Sequence, residues 1–122
     1  APSLLFQRGD MMDLTHLSDN FSVSPQITEH DLRVLAQGGF TDVICYRPEH
    51  EHPSETISTR VAKACAALGL SFHYHPFAPG EAFETQAKDL AQLMSKPNIK
   101  VCAYCRSGAR AANVFAQVSA PT

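Results

Sequence analysis

Ile99-Lys100-Val101-Cys102-Ala103-Tyr104, followed at once by Cys105-Arg106-Ser107-Gly108-Ala109-Arg110, decides how the rest of the chain is read. The first six residues form a short apolar run suited to a buried strand. After Gly108 a helix is expected from Ala109 to about Val118, and Ala111 and Ala112 are small enough to let it lie close to a sheet. A strand that runs straight into a helix belongs to a parallel, helix-covered sheet. Ligands in such sheets bind beyond the carboxyl ends of the strands. Cys105 falls at such an end.

The segments upstream repeat the pattern. Phe21 to Val23 reads as a short strand ended by Pro25. Thr28 is placed to cap a helix, with Asp31 at the third helical position and Ile27 and Leu32 spaced as a hydrophobic staple. Gly38-Gly39 stops that helix. Thr41 to Tyr46 is a second buried strand, followed by a polar loop from Arg47 to Pro53. Ser54 can cap a helix that carries Ile57, Val61, Cys65 and Leu68 on one face and ends at Gly69. Leu70 to His75 is a third strand, with Phe72 and Tyr74 on one face and His73 and His75 on the other. Pro79-Gly80 marks a turn. Phe83, Ala87, Leu90, Ala91 and Met94 then mark a further helix that ends near Pro97. The fold class is α/β: a mainly parallel central sheet of about four to five strands with helices on both faces.

Bulk composition agrees. A chain of 122 residues suits one domain, here residues 11–122. Residues 1–10 read poorly as structure and are set apart as a non-native or disordered lead, with Met11 or Met12 as the start. Hydrophobic content of 44% against 18% charged supports a real core. A net charge of -2 gives no reason to expect nucleic-acid or anionic-membrane binding, which need basic surfaces. No apolar run approaches the roughly 18 residues of a membrane helix, and no signal-peptide pattern is visible. The four cysteines therefore read as free thiols of a cytoplasmic protein, with Cys45 and Cys65 as small core residues.

The loop after the last strand carries the chemistry. Successive backbone N–H groups in a tight turn at a helix start converge on one point and form an anion site, reinforced by the helix dipole. Gly108 permits the backbone geometry, Arg110 offers a two-pronged donor, and Arg106 adds charge. A thiol at a helix N-terminus beside arginine is favoured as thiolate, the nucleophilic form. Cys105 is thus the expected nucleophile, with Arg106, Ser107, Gly108 and Ala109 binding the anion. Nucleophile and cradle together suit a phosphoryl group or a thiosulfate-like sulfur donor. Glu81, beside the Pro79-Gly80 turn, is the candidate general acid; its plainer reading is a solvated carboxylate near a helix start.

Three segments carry a resemblance to a known family: Phe21-Ser22-Val23-Ser24-Pro25-Gln26-Ile27-Thr28, Val43-Ile44-Cys45-Tyr46-Arg47-Pro48-Glu49, and Ala103-Tyr104-Cys105-Arg106-Ser107-Gly108-Ala109-Arg110. From about Leu14 onward the chain resembles the phosphatase-like domain of beta-lactamase-hydrolase-like proteins, a bacterial family with the fold of dual-specificity phosphatases. The resemblance implies a cysteine-phosphatase-like sheet and suggests a metallo-hydrolase-like partner, fused or separate; its recurring Arg47-Pro48 pair supports placing Arg47 at the anion site, where with Glu49 or Glu51 it would buttress the loop. It also exposes departures. Phosphatases of this fold usually place five residues between Cys and Arg; here four intervene, Arg106 to Ala109, as in rhodanese sulfurtransferases. Ala111 stands where a Ser or Thr often follows the Arg.

The short loop puts sulfur transfer first: Cys105 takes sulfur from a sulfane donor and becomes a persulfide. Hydrolysis of a phosphate ester through a phosphocysteine is the alternative, and a non-catalytic module that binds an anionic partner is the second. Neither reaction requires a cofactor or metal. Cys102 and Cys105 also read as C-x2-C, but residues three apart on a strand face opposite ways, and spacing singles out no further zinc ligand. His50 and His52 read as exposed loop residues, and His73 and His75 as a polar or partly buried strand face.

Overall fold

The structure, a computed structural model, describes residues 13–48 and 57–119. Its strands are β1 (Thr15–Ser18), β2 (Phe21–Ser24), β3 (Asp42–Cys45), β4 (Ser71–Tyr74) and β5 (Val101–Tyr104). Its helices are α1 (Glu29–Gln37), α2 (Ile57–Leu68), α3 (Glu84–Met94) and α4 (Ala109–Ser119). Residues 1–10, the Ser54 cap, Glu49 and Glu51, and His50 and His52 lie outside the described residues.

All five strands form one sheet in the order β1-β2-β5-β3-β4. β2, β5, β3 and β4 are parallel, and β1 pairs antiparallel with β2. The α/β sheet with helices on both faces is as expected from the sequence. β1 was not foreseen. All four of its residues are exposed, so no buried face imposes the alternation by which a strand is recognised.

Two cores flank the sheet. On one face Phe21, Val23, Ile44, Val101 and Ala103 pack with Leu90 and Leu93 of α3 and Val114 of α4. On the other Val43, Cys45, Cys102 and Tyr104 pack with Leu32 and Leu35 of α1 and Val61 and Cys65 of α2. β5, in the centre, serves both cores, and each of its residues is 0% exposed. That explains its unbroken apolar run. On α3, Leu93 is buried while Ala91 is exposed, which corrects the expected apolar stripe by part of a turn.

The start of α1 follows its sequence signal. Thr28 Oγ1 accepts the Asp31 N–H at 3.2 Å, and Asp31 Oδ2 accepts the Thr28 N–H at 2.9 Å. Gly39, at φ +86°, takes the chain out of the helix. No helix among the described residues is long and apolar enough to cross a membrane.

Burial pushes the Cys65 thiol up to about 11. Cys102 rises to about 12, chiefly through burial, with Asp31 and Cys65 adding to it. The folded state therefore keeps two protons that an unfolded chain sheds near pH 9.0. Their contribution to stability is whole below that pH and declines as pH rises toward the folded values. Urea unfolding should show lower stability near pH 10 than near pH 8, and Cys65→Ala should narrow the gap. Thr28→Ala should cost about 1 kcal/mol in the same assay, with the m-value unchanged.

Candidate active site

Parallel pairing sends β2, β5, β3 and β4 to one carboxyl edge, and the site is built from the loops there. Cys105 directly follows β5, between the ends of β2 and β3. Its N–H reaches the Ser24 carbonyl at 3.4 Å, and the Tyr46 N–H donates to the Tyr104 carbonyl at 2.9 Å. The loop then curls back on its own cysteine: the Gly108 N–H donates to Cys105 Sγ at 3.0 Å. Gly108 sits at φ +93°, and a Cβ there would lie 3.5 Å from the Ser24 carbonyl group. The conformation, more than the space, calls for glycine. Its carbonyl accepts the Ala112 N–H at 3.0 Å as α4 begins. Cys105 is 0% exposed, whereas Arg106, Ser107 and Ala109 stand in solvent around it. Ala111 is fully buried, so the position that often carries a hydroxyl is given to helix packing.

Arg110, on the first turn of α4, is buried. Its Nη1 donates to the Phe77 carbonyl at 2.8 Å and to the Tyr46 carbonyl at 3.5 Å. The Phe77 N–H also donates to the Tyr46 carbonyl, at 3.2 Å. The arginine thereby ties the loops after β3 and β4 to the helix that follows the cysteine. Tyr46 and Phe77 meet edge to face with ring centroids 5.7 Å apart. Burial, and then the charge of Asp89, drives the Tyr46 phenol well above its ordinary value.

Arg47 is also buried, toward the other core. Its Nη1 donates to Gln26 Oε1 at 3.0 Å, and its carbonyl accepts from Cys45 Sγ at 3.3 Å. Tyr104 Oη is buried nearby without a well-aligned hydrogen bond, beside Cys45 and Gln26. Burial first, and then Cys45, raises its phenol far above the usual value.

Glu81 is exposed, and its carboxylate closes its own turn. Oε1 accepts the Ala78 N–H at 2.6 Å, and the Glu81 N–H returns to the Ala78 carbonyl at 3.0 Å. Its loop is the one that Arg110 anchors, but no hydrogen bond among the described residues joins Glu81 to the Cys105 loop. Cys102 faces the core opposite to that of Cys105. His73 on β4 and His75 just beyond it are half-buried, paired with Asp42 at 2.7 Å and Asp89 at 3.2 Å. They border a cleft of about 240 Å³ between β4 and α3. No group of three metal-ligating side chains comes together among the described residues.

The sequence reading missed Gln26 and the anchoring carbonyls of Tyr46 and Phe77. Gln26 lies inside the first family-like segment. The carbonyls leave no mark in a sequence, because every residue has one.

This architecture, with a cysteine loop between the central strand and a helix, is that of the cysteine phosphatases. Residues 13–121 match the family model described as "Beta-lactamase hydrolase-like protein, phosphatase-like domain", and the chain belongs to that family. A beta-lactamase hydrolase-like protein of Agrobacterium fabrum (strain C58) is 24% identical over 104 residues, covering 85% of this chain and 24% of that protein. One from Xylella fastidiosa (strain Temecula1) is 21% identical over 105 residues, 86% and 24% of the two chains. The chain thus spans about a quarter of the length of these relatives. Among solved structures, a candidate phosphatase from Neisseria meningitidis Z2491 superposes with a TM-score of 0.76 at 27% identity, covering 86% of this chain and 75% of that one. A kinase-associated phosphatase, solved with its catalytic cysteine changed to serine, has a TM-score of 0.66 at 17% identity, covering 80% and 63%.

Because the Tyr104 hydroxyl finds no good partner, Tyr104→Phe should leave the thermal midpoint unchanged or raise it. Gly108→Ala should lower it, since alanine resists φ +93°. Differential scanning calorimetry of the two variants checks both.

Proposed function

We propose that this domain is a cysteine-dependent phosphatase that works through a phosphocysteine at Cys105. The observation that carries the reading is the Gly108 N–H on Cys105 Sγ, 3.0 Å, at the entry to α4. A backbone donor aimed at sulfur stabilises negative charge there, in a loop whose geometry favours anions. Family membership and the phosphatase-like neighbours support phosphoryl transfer over the sulfur transfer that the short loop first suggested. Sulfur transfer rests on the four-residue spacing between Cys105 and Arg110 and on Ala111 in place of a hydroxyl residue.

In the proposed cycle the Cys105 thiolate attacks phosphorus in line with the ester oxygen. The P–S bond forms as the P–O bond breaks, and the alcohol or phenol leaves with a proton. Water then attacks the phosphocysteine, releasing inorganic phosphate and restoring the thiolate. The loop N–H groups and the positive charge of Arg110 stabilise the equatorial oxygens. Arg106, Ser107, Gly108 and Ala109 shape the cradle, and Arg47 adds charge from the neighbouring loop. Glu81, the only carboxylate between β4 and α3, is proposed to give the leaving group its proton, releasing the Ala78 N–H to do so.

Incubation with an aryl phosphate should release phosphate, and an acid quench should trap a phosphoryl group on Cys105. Cys105→Ser should reduce turnover to background. Thiocyanate formed from thiosulfate and cyanide, without phosphate release, would move the domain to the sulfurtransferases. Anion binding without any adduct would make it a binding module. If Glu81 is the acid, Glu81→Gln should slow esters of poorly acidic alcohols far more than esters of acidic phenols.

A further inference from the structure

β1 pairs with β2 out of step. Thr15 faces Val23 and His16 faces Ser22, but Ser18 faces Phe21, so Leu17 has no residue opposite it. One unmatched residue makes a bulge, and a bulge re-aims the side chains beside it. Side-chain contacts hold the register on both sides. His16 Nδ1 meets Ser22 Oγ at 2.6 Å, and Ser18 Oγ donates to Asn20 Oδ1 at 3.0 Å. Leu17, 37% exposed, borders a groove of about 310 Å³ that runs from β1 to the cysteine loop. Small-molecule sites begin at roughly 300 Å³. The other apolar side chains along the groove are Val23 and Pro25, at the end of β2, and Ala109 and Ala112, at the start of α4. Asp13 is its only charged side chain among the described residues.

The groove adjoins Cys105. Ser24 and Gly108 both line it. The Ser24 carbonyl accepts the Cys105 N–H at 3.4 Å, and the Gly108 N–H donates to Cys105 Sγ at 3.0 Å. Val23 and Cys105 belong to one core, so groove and cysteine lie on the same face of the sheet. In an in-line displacement the ester oxygen stands on the far side of phosphorus from the sulfur, which puts the carbon part of the substrate at the rim of the loop. Ser107 and Ala109, where the groove meets the loop, are exposed. One carboxylate and no cation among its described lining suits an uncharged apolar group and repels a second anion.

We propose that this groove receives the apolar alcohol or phenol portion of a phosphate monoester, with Leu17, set by the bulge, as a specificity-determining residue. This rests on the reading of Cys105 as a phosphatase nucleophile and adds the substrate class: monoesters of uncharged, apolar alcohols and phenols rather than of polyanions.

The test compares wild type with Leu17→Ala and Leu17→Asp on phenyl phosphate and 2-naphthyl phosphate, whose leaving groups are of similar acidity. Wild type should favour the naphthyl ester about tenfold in KM. Leu17→Ala should shrink that preference and Leu17→Asp should abolish it, with the loss falling on KM rather than kcat. If Leu17→Asp fails to fold, Leu17→Ala carries the same comparison. An equal loss on both esters overturns the proposal, and if it comes with a change from dimer to monomer in sedimentation, the groove is an interface between copies of the chain. A wild type that prefers 4-carboxyphenyl phosphate to 2-naphthyl phosphate overturns it as well. If neither ester is hydrolysed, calorimetry with 2-naphthylmethylphosphonate and methylphosphonate separates the two readings. Tighter binding of the naphthyl compound, lost in the Leu17 variants, keeps the groove as the apolar subsite and sinks the phosphatase reading alone. Equal affinity for the pair, or no binding of either, overturns the groove assignment.

Discussion

Arg110 Nη1, set on the carbonyl oxygens of Phe77 and Tyr46, is the contact on which the geometry of the edge depends. Among the described residues this buried cation reaches backbone oxygens from two loops that follow neighbouring strands. The bond therefore does more than satisfy a charge. It sets how far the loops after β3 and β4 stand from the first turn of α4, and so fixes the surroundings of Cys105 on one side.

The other side is held by analogous means. Ser24 and Gln26 flank the cysteine loop from β2, and Gln26 engages Arg47 through a neutral oxygen. Two arginines are thereby restrained, Arg110 by main-chain carbonyls and Arg47 by Gln26 among the described residues. Between them Cys105, the proposed nucleophile, sits at the end of a strand buried on both faces. The rigidity of the site thus comes from the two cores that flank it.

Most of this frame was legible in the sequence wherever a side chain had to be buried. β5 announced itself because both of its faces are covered, and α1 because Thr28 and Asp31 form a reciprocal cap. β1 was silent because its side chains are all exposed and nothing constrains their pattern. At the site, Cys105, Gly108 and Arg110 were readable from the chemistry of an anion loop. The partners of Arg110 were not, since they are main-chain atoms brought close only by the sheet order. Glu81 and the Pro79-Gly80 turn beside it were readable, but not that the Ala78 N–H would fix the Glu81 carboxylate within that turn.

The exposed β1 strand has a consequence for how the molecule behaves in company. β2 is buried at all four positions and would otherwise present a strand edge with open backbone donors and acceptors. Such an edge recruits strands from other chains and seeds aggregation. β1 occupies that edge through antiparallel pairing with β2 and offers solvent four residues, of which only Leu17 is a large hydrophobic. Its polarity, which hid it from pattern reading, is what suits it to guard the sheet: a strand that adds little to the core keeps the core private.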